Sequence, residues 1–406
     1  MKRRARFALI LFCAAGLAAC TGGNPSVVPP SGSAAQTARG ISAHHAAGLG
    51  PVLSTSDGGQ IFGFDIDQNG NDGVLASATS ARISVQTFNQ ITGKIVKNVG
   101  VIGGKKVQNG NDYVANGIFA GDVALIDYQK AGIPGQTPTK DIYKVMNPVT
   151  GNAFTSKWTP PGADVNVIQN AVNQSTATSV VLGYRRAGSD PTVLVVSDVA
   201  TNTFSKVIAL DPNEFGLFTG PQLAQDTVGN RAVMASSPDG GAAGGPPPVI
   251  ATIDLSSGKL SKFSGVNCPG SVGCGYANGI AYDSKTGVAC TDTELDGGIE
   301  FYDVAKKTGT HEFLPNGGGQ IHAGAYVIND PVHQLFLVAQ PFSSTSQSGS
   351  SIQVYEENGT PLESINGFNF TDAGDLAIPV RIAINPSTRT GWVNGPQVSQ
   401  LQEFSY

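Results

Sequence analysis

The stretch ATIDLSSGKLSKFSG, residues 251–265, is written as a strand, a tight turn and a second strand. Residues 250–255 alternate between the two sides of an extended chain, and the turn Ser256-Ser257-Gly258 leads into a second alternating segment. Alternation at a period of two around a Gly-containing turn is typical of a β-hairpin. One hairpin does not define a fold, so the question is how often it recurs.

The hairpin pattern recurs about six times along the chain. Successive turns lie 50 to 58 residues apart, and the Asn at one of them tolerates the left-handed conformation that Gly adopts at the others. A fixed period of this length indicates a repeated supersecondary unit. The predicted turn positions are Gly93, Gly151, Asn202, Gly258, Gly309 and Gly359.

A second pair of short strands precedes each hairpin. In the fifth unit these strands are NGIAYD (278–283) and GVACTDT (287–293), joined by a turn at 284–287. Each unit therefore holds four antiparallel strands, A to D, in about fifty residues, which is typical of one blade of a β-propeller. The sequence predicts an all-β fold, and 52 Gly, 24 Pro and only 14% charged residues suit many short strands and turns.

The last unit lacks a strand. Residues 380–385, 390–395 and 399–406 supply strands A, B and C, and the sequence stops at Tyr406 before any strand D. Residues 50–56, GPVLSTS, lie just before the first blade and are expected to fill this position. Pairing of the N- and C-terminal strands removes the exposed edges of an open ring. We predict a seven-bladed β-propeller, with six blades as the alternative if the second or fourth unit is an insertion.

The repeat style resembles the bacterial NHL and YVTN class of β-propellers over residues 50–406. The segment ANGIAYDSKTGVACTDTELDGGIEFYDVAKKTG, residues 277–309, carries the resemblance best. WD40 repeats fit less well, because the chain has only two Trp and no recurring Trp-Asp pair. Kelch repeats fit less well because the Gly-Gly pairs do not fall at one place in each unit.

The first nineteen residues read as an export signal rather than as part of the fold. Four basic residues precede the apolar stretch 7–17, which is too short to span a bilayer as a helix. Residues 17–20, Leu-Ala-Ala-Cys, match the lipobox of bacterial lipoproteins, which implies cleavage before Cys20 and its acylation with fatty acids such as palmitate. Residue 21 is Thr rather than Asp, which by resemblance to sorted lipoproteins favours the outer membrane in an organism that has one.

Residues 20–49 read as the lipidated Cys and a flexible tether, because Pro, Gly, Ser and Ala dominate and cannot bury a core. Removal of the signal leaves 21 Lys and Arg against 30 Asp and Glu, a net charge of −9. This balance excludes the basic surface expected of a nucleic-acid partner. The expected membrane contact is therefore the lipid anchor.

Three cysteines remain in the predicted domain, and an exported protein meets an oxidising compartment. Cys268 and Cys274 bracket a short loop, so we predict a disulfide between them. Cys290 lies within a predicted strand and is expected to be a small buried hydrophobe, with a Cys274–Cys290 bridge as the alternative.

The candidate ligand site lies where the innermost strands begin. The A–B and C–D turns share one face of a propeller, and the long, unequal B–C connections lie on the other, where binding usually resides. Low-complexity insertions without function are the alternative reading of these loops. The polar residues predicted to meet over the channel mouth are Asn116, Asn278, His322 and Arg381.

The two ANG segments at Asn116 and Asn278 are similar to the Asn-Gly strand start of gluconolactonase-type hydrolases. That resemblance implies a divalent metal held by Asn and acidic side chains of several blades. This chain departs from the pattern, because the first, fifth and sixth blades lack an Asp or Glu at the corresponding position. No other catalytic motif is present, so a cell-envelope binding or scaffold module for a small molecule or protein is favoured over a lactonase-like hydrolase.

One further segment, DIDQNGNDG at 65–73, resembles the front half of a calcium-binding loop. The bidentate Glu of such loops is replaced by Ala76. The alternative is an ordinary Asn-Gly turn between strands A and B. No cofactor is required by this reading, and any calcium would be structural. The ligands would be Asp65, Asp67, Asn69 and Asp72.

Overall fold

The structure is a computed structural model of the chain. It describes residues 47–68, 70–79, 83–102, 114–119, 123–129, 141–146, 153–155, 165–173, 178–185, 192–198, 203–210, 222–236, 249–264, 279–293, 298–313, 326–340, 350–368, 381–394 and 399–406.

Within these residues, 28 strands form seven antiparallel sheets of four strands each, and no helix is present. We number the sheets in chain order and call the four strands of each A to D. Sheet 1 contains β2 (Gln60–Ile66), β3 (Asp72–Ala78), β4 (Ile83–Asn89) and β5 (Lys94–Ile102). Sheet 2 contains β6 (Val114–Phe119), β7 (Val123–Gln129), β8 (Asp141–Met146) and β9 (Ala153–Thr155). Sheet 3 contains β10 (Val165–Asn173), β11 (Thr178–Arg185), β12 (Thr192–Asp198) and β13 (Thr203–Ala209).

The remaining sheets follow the same plan, except that the last one takes its fourth strand from the other end of the chain. Sheet 4 contains β14 (Gln222–Asp226), β15 (Arg231–Ser236), β16 (Val249–Asp254) and β17 (Leu260–Ser264). Sheet 5 contains β18 (Ile280–Asp283), β19 (Val288–Thr293), β20 (Gly298–Asp303) and β21 (Thr308–Phe313). Sheet 6 contains β22 (Tyr326–Asp330), β23 (Leu335–Gln340), β24 (Ser350–Glu356) and β25 (Pro361–Phe368). Sheet 7 contains β26 (Ile382–Asn385), β27 (Thr390–Asn394), β28 (Gln400–Ser405) and β1 (Gly48–Ser54).

The strands A of the sheets contact one another in chain order. Strand A of each sheet lies against strand A of the next, and β26 of sheet 7 also lies against β2 of sheet 1. The seven strands A therefore form a closed series, with the strands D on the outside. This arrangement confirms the all-β prediction.

The core lies between neighbouring sheets. In sheet 4, Leu223 and Ala232 pack towards sheet 3, whereas their neighbours Ala224 and Val233 pack towards sheet 5. Successive residues of a strand point to opposite faces, so a sheet covered on both sides is apolar on both. Equivalent clusters join sheets 5 and 6, sheets 6 and 7, and sheets 7 and 1.

The expected pairing of the two terminal strands is present, but the N-terminal strand is Gly48–Ser54 rather than residues 50–56. Strand β1 pairs antiparallel with β28, from Gly48 opposite Ser405 to Ser54 opposite Gln400. The register shifts between Leu49 and Val52, and the amide of Gln402 donates to the main-chain oxygen of Gly50 at 2.6 Å. A side chain of the last strand thus holds the irregular part of the first one in place.

The hairpin turns agree with the sequence in three of the four described cases. Gly93, Gly258 and Gly359 have φ values of 62°, 76° and 90°, the left-handed region that Gly adopts without strain. The fifth turn was placed wrongly: Gly309 lies within β21, and Lys307, with φ of 58°, is the left-handed residue. The turn, residues 304–307, ends two residues before the glycine that was used to place it. The turns at 151 and 202 lie outside the described residues.

The connection from β1 to sheet 1 is held by one carboxylate. Asp57 accepts hydrogen bonds from the hydroxyls of Ser84 at 2.7 Å and Ser77 at 3.3 Å, and from the amide of Gln86 at 3.4 Å. These three partners are completely buried in strands B and C. The loop that follows the closing strand is therefore tied to the interior of the next sheet.

Candidate functional site

The predicted channel-mouth residues are only partly described. Asn116 lies in β6 opposite Ile126, and Arg381 immediately precedes β26. Asn278 and His322 lie outside the described residues, so the predicted grouping of these four side chains stays a prediction. Asn116 is the third residue of strand A of sheet 2, and Arg381 lies just before strand A of sheet 7. We call the ends of the sheets that carry the B–C connections the loop face.

Arg381 is the described charged residue of the predicted site. Its main-chain N–H donates to Asn394 Oδ1 at 2.7 Å, which anchors the start of β26 to the end of β27. The side-chain Nε is buried and has no hydrogen-bond partner among the residues that the structure describes. A guanidinium cannot lose its charge, so an open donor here suits an anionic or carbonyl-bearing group.

The predicted calcium loop forms the A–B turn of sheet 1. Asp67 N donates to Asp72 O at 2.9 Å, and the amide of Gln90 donates to the main-chain oxygens of Asp67 and Gly70 at 2.8 and 2.6 Å. Asp65 lies in β2, whereas Asn69 is outside the described residues. The described part of the chain contains no group of three or more His, Cys, Asp or Glu arranged to hold a metal ion. The calcium site stays an untested prediction.

The cysteine and export predictions are tested only at Cys290. Cys290 is a buried thiol in the cluster between sheets 5 and 6, as a small hydrophobe would be. The predicted Cys268–Cys274 bridge and the lipidation site Cys20 lie outside the described residues. Within the described ranges, no helix is long and apolar enough to cross a membrane.

The best-described polar groups lie at the opposite ends of the sheets, which carry the A–B and C–D turns and which we call the turn face. Strand A of each of sheets 4 to 7 ends in a buried Asp or Asn followed by a four-residue turn. At Asp330, for example, Oδ1 accepts the main-chain N–H groups of Val332 at 2.9 Å and His333 at 3.0 Å. This side-chain bond fixes the turn locally. The four residues are Asp226, Asp283, Asp330 and Asn385.

The turn side chains also reach the neighbouring sheet. At the contact of sheets 6 and 7, Tyr406 Oη donates to Asp330 Oδ2 at 2.8 Å. At the contact of sheets 7 and 1, Asn385 Nδ2 donates to Gln90 Oε1 at 3.3 Å. Tyr406 and Gln90 each follow strand C directly, a position that we call the junction residue. Two further junction residues, Leu255 and Val304, are apolar and belong to the core clusters.

The contact of sheets 5 and 6 differs from the four other contacts whose junction residues the structure describes. Its junction residue is Glu357, whose carboxyl faces the Asp283 carboxyl and the Thr286 hydroxyl. Asp283 Oδ1 accepts the N–H of Lys285 at 2.6 Å. Asp283 Oδ2, Thr286 Oγ1 and Glu357 Oε1 are buried, and among the described residues no group outside this contact bonds to them. Burial, and next to it the Asp283 carboxyl, raise the pKa of Glu357 to about 8. The pair can therefore hold a proton near neutral pH.

Comparison with solved structures supports a β-propeller fold. The chain is similar to the structure of U3-55K, with 13% identity and a TM-score of 0.58, covering 88% of this chain and 98% of that one. It is similar to the WD40 repeats of RRP9, with 12% identity and a TM-score of 0.57, covering 87% and 96%. It is also similar to the β-propeller domain of Cps50 (Swd1) from Myceliophteria thermophila, with 9% identity and a TM-score of 0.52, covering 89% and 99%.

At these identities the likeness shows the fold alone. No protein-family model matches the chain, and no curated protein matches it. The resemblance to NHL and YVTN repeats therefore stays a prediction about repeat class.

Sequence reasoning missed the turn-face residues, although a signal was available. Aligning the units would have shown a recurring Asp or Asn at the end of strand A, as at Asp283 and Asp330. In the structure this residue lies four positions before the left-handed residue of the A–B turn, Gly287 or Gln334. The contact between Glu357 and Asp283 has no such signal, because it depends on how two sheets meet.

Proposed function

We propose that the seven sheets are the blades of one seven-bladed β-propeller that serves as a binding or scaffold module. The closed series of strands A supports this reading, as does the fourth strand that the N-terminal segment adds to sheet 7. A closed ring gives a rigid frame on which loops from several blades can meet over one axis.

The observation that carries the binding proposal is the open guanidinium donor of Arg381. A buried donor without an acceptor is costly, and a ligand that supplies an acceptor recovers that cost. The proposed ligand is a small molecule or protein segment with an anionic or carbonyl group, bound on the loop face. Asn116, Asn278 and His322 are proposed to complete the site.

Replacing Arg381 or His322 by Ala is expected to weaken such a ligand at least about tenfold, or roughly 1.4 kcal/mol. A panel of small carboxylates screened by thermal shift would supply the probe, and isothermal titration would measure its affinity for each variant. Arg389→Ala is the matched control, because Arg389 lies on the turn face of the same sheet and stacks over the Tyr406 ring at 5.4 Å. Equal losses of ligand affinity in the Arg381 and Arg389 variants would contradict a binding site on the loop face.

We further propose that Cys20 tethers the propeller to a membrane of the cell envelope, with the outer membrane favoured. The support is the lipobox and the Pro-, Gly- and Ser-rich segment that follows it. Acylation at two positions supplies enough buried hydrocarbon for stable anchoring.

Cys20→Ser is expected to abolish labelling by a clickable palmitate analogue and to block signal removal. Cys13→Ser, which changes the other cysteine of the same segment, should leave both unaffected. Labelling that persists in the Cys20 variant would contradict the tether.

A further inference from the structure

At the contact of sheets 5 and 6, neither the last residue of strand A nor the junction residue carries the neutral donor group found at the next two contacts. At sheets 6 and 7 the donor is the Tyr406 hydroxyl, and at sheets 7 and 1 it is the Asn385 amide. Burial raises the pKa of Tyr406, so its hydroxyl remains a proton donor. At sheets 5 and 6 both groups are carboxyls, Asp283 and Glu357, which only accept hydrogen bonds when ionised.

We propose that Asp283 and Glu357 form a proton-binding site that couples sheet 5 to sheet 6. One proton, carried on Glu357 and donated to Asp283 Oδ2, makes the hydrogen bond that Tyr406 makes to Asp330 at the next contact. Loss of this proton to solvent leaves two carboxylates facing each other and weakens the contact. The site therefore responds to rising pH.

The surroundings of Glu357 agree with this assignment. Sheet 5 presents the Asp283 carboxyl, the Thr286 hydroxyl and the Lys285 ammonium. The last residue of β24, Glu356, directly precedes Glu357 and accepts a hydrogen bond from Asn358 at 3.2 Å. Burial and the Asp283 carboxyl raise the pKa of Glu357, whereas the Thr286 hydroxyl and the Lys285 ammonium lower it. The balance places the pKa of Glu357 at about 8, well above the usual carboxyl range.

The sign of the pH dependence follows from linkage. The folded state holds the proton up to a higher pH than the unfolded state, so between the two pKa values it binds more protons. The stabilisation is complete below the unfolded pKa of Glu and is lost as the pH rises through about 8.

A proton fits the site better than a metal ion. The third side-chain oxygen is a hydroxyl, Thr286, and the described residues offer no group of three or more His, Cys, Asp or Glu that would hold a metal. The nearby Lys285 ammonium also opposes a further cation. Two carboxyls alone supply too few ligands for calcium.

The test uses the full-length chain and a replacement that the chain itself contains. Gln is the junction residue at sheets 7 and 1, where it meets Asn385, so the double variant Asp283→Asn/Glu357→Gln reproduces an existing contact. Glu357→Gln alone removes the proposed proton carrier and keeps Asp283. Urea unfolding would be measured at pH 6 and pH 9. We compare the factor by which the unfolding equilibrium constant increases from pH 6 to pH 9. This factor should be at least about ten times larger for the unaltered protein than for either variant.

Two controls separate this site from other titrating groups. Glu403, whose pKa burial raises to about 7, is present in every variant, so only the difference between proteins is used. Tyr406→Phe removes the corresponding bond at sheets 6 and 7, and the effect of Glu357→Gln on the pH dependence should be the same with and without it. Parallel pH profiles for the unaltered protein and Glu357→Gln would overturn the proposal, as would millimolar calcium stabilising the former and not the latter.

Discussion

Deletion of residues 48–54 is expected to lower the unfolding temperature of all seven sheets together. The shortened protein should still unfold in a single transition, and not by fraying at one end. These residues form the fourth strand of sheet 7, and without them β28 becomes an open edge. Leu53, 1% exposed, also leaves the cluster shared by sheets 7 and 1. The measurement is thermal unfolding followed by circular dichroism, with hydrogen exchange reporting on β2 and β26 separately.

Two substitutions in the same strand serve as matched controls. Leu53→Ala should cost about 2–5 kcal/mol because it leaves a cavity in a packed cluster. Leu49→Ala, at a position 44% exposed, should cost less than about 0.5 kcal/mol. If the deleted protein unfolds at the temperature of the full chain, strand β1 does not close the ring.

Replacement of Trp392 by Ala is expected to cost about 3–5 kcal/mol, the range for large buried aromatics. Trp392 of sheet 7 is completely buried and meets Phe88 of sheet 1 edge to face, with 5.5 Å between ring centroids. Its ring also lies against Gly93, where an added Cβ would approach Cη2 to 3.2 Å. The change therefore opens the same contact as the strand deletion, but from inside the core. Urea unfolding monitored by circular dichroism measures it.

Trp392→Phe is the control for this prediction, because it keeps an aromatic ring beside Phe88. It should lose clearly less stability than the Ala variant. A loss below about 1 kcal/mol for Trp392→Ala would mean that the cluster between sheets 7 and 1 is loosely packed.

The all-β fold and the terminal pairing could be predicted because both depend on local patterns. Alternation around Gly93, Gly258 and Gly359 marks hairpins, and the missing strand after Tyr406 points to a substitute near residue 50. Lys307 shows the limit of this reasoning. Residues other than Gly also adopt the left-handed conformation in the turns of this chain, so a nearby glycine does not reliably mark the position of a turn.

In the candidate sites, too, features set by the local sequence could be predicted and features set by packing between sheets could not. Arg381 was predictable, because a polar residue before an apolar strand A must lie at the end of a sheet. Its open Nε was not, since that depends on the neighbours which fold around it. The Asp283–Glu357 contact was also hidden, because 74 residues separate the partners and only the packing of sheet 5 on sheet 6 brings them together.

The pairing of β1 with β28 has a consequence for the order in which the chain can fold. The bond from Gln402 to Gly50 spans 352 residues, so its formation carries a large loop-closure cost unless the intervening sheets are already built. During synthesis from the N-terminus, β1 must wait for β28, which follows every other described strand in the chain. Until then the edge of β1 that pairs with β28 has no partner, and the growing chain carries an unpaired strand ahead of sheet 1.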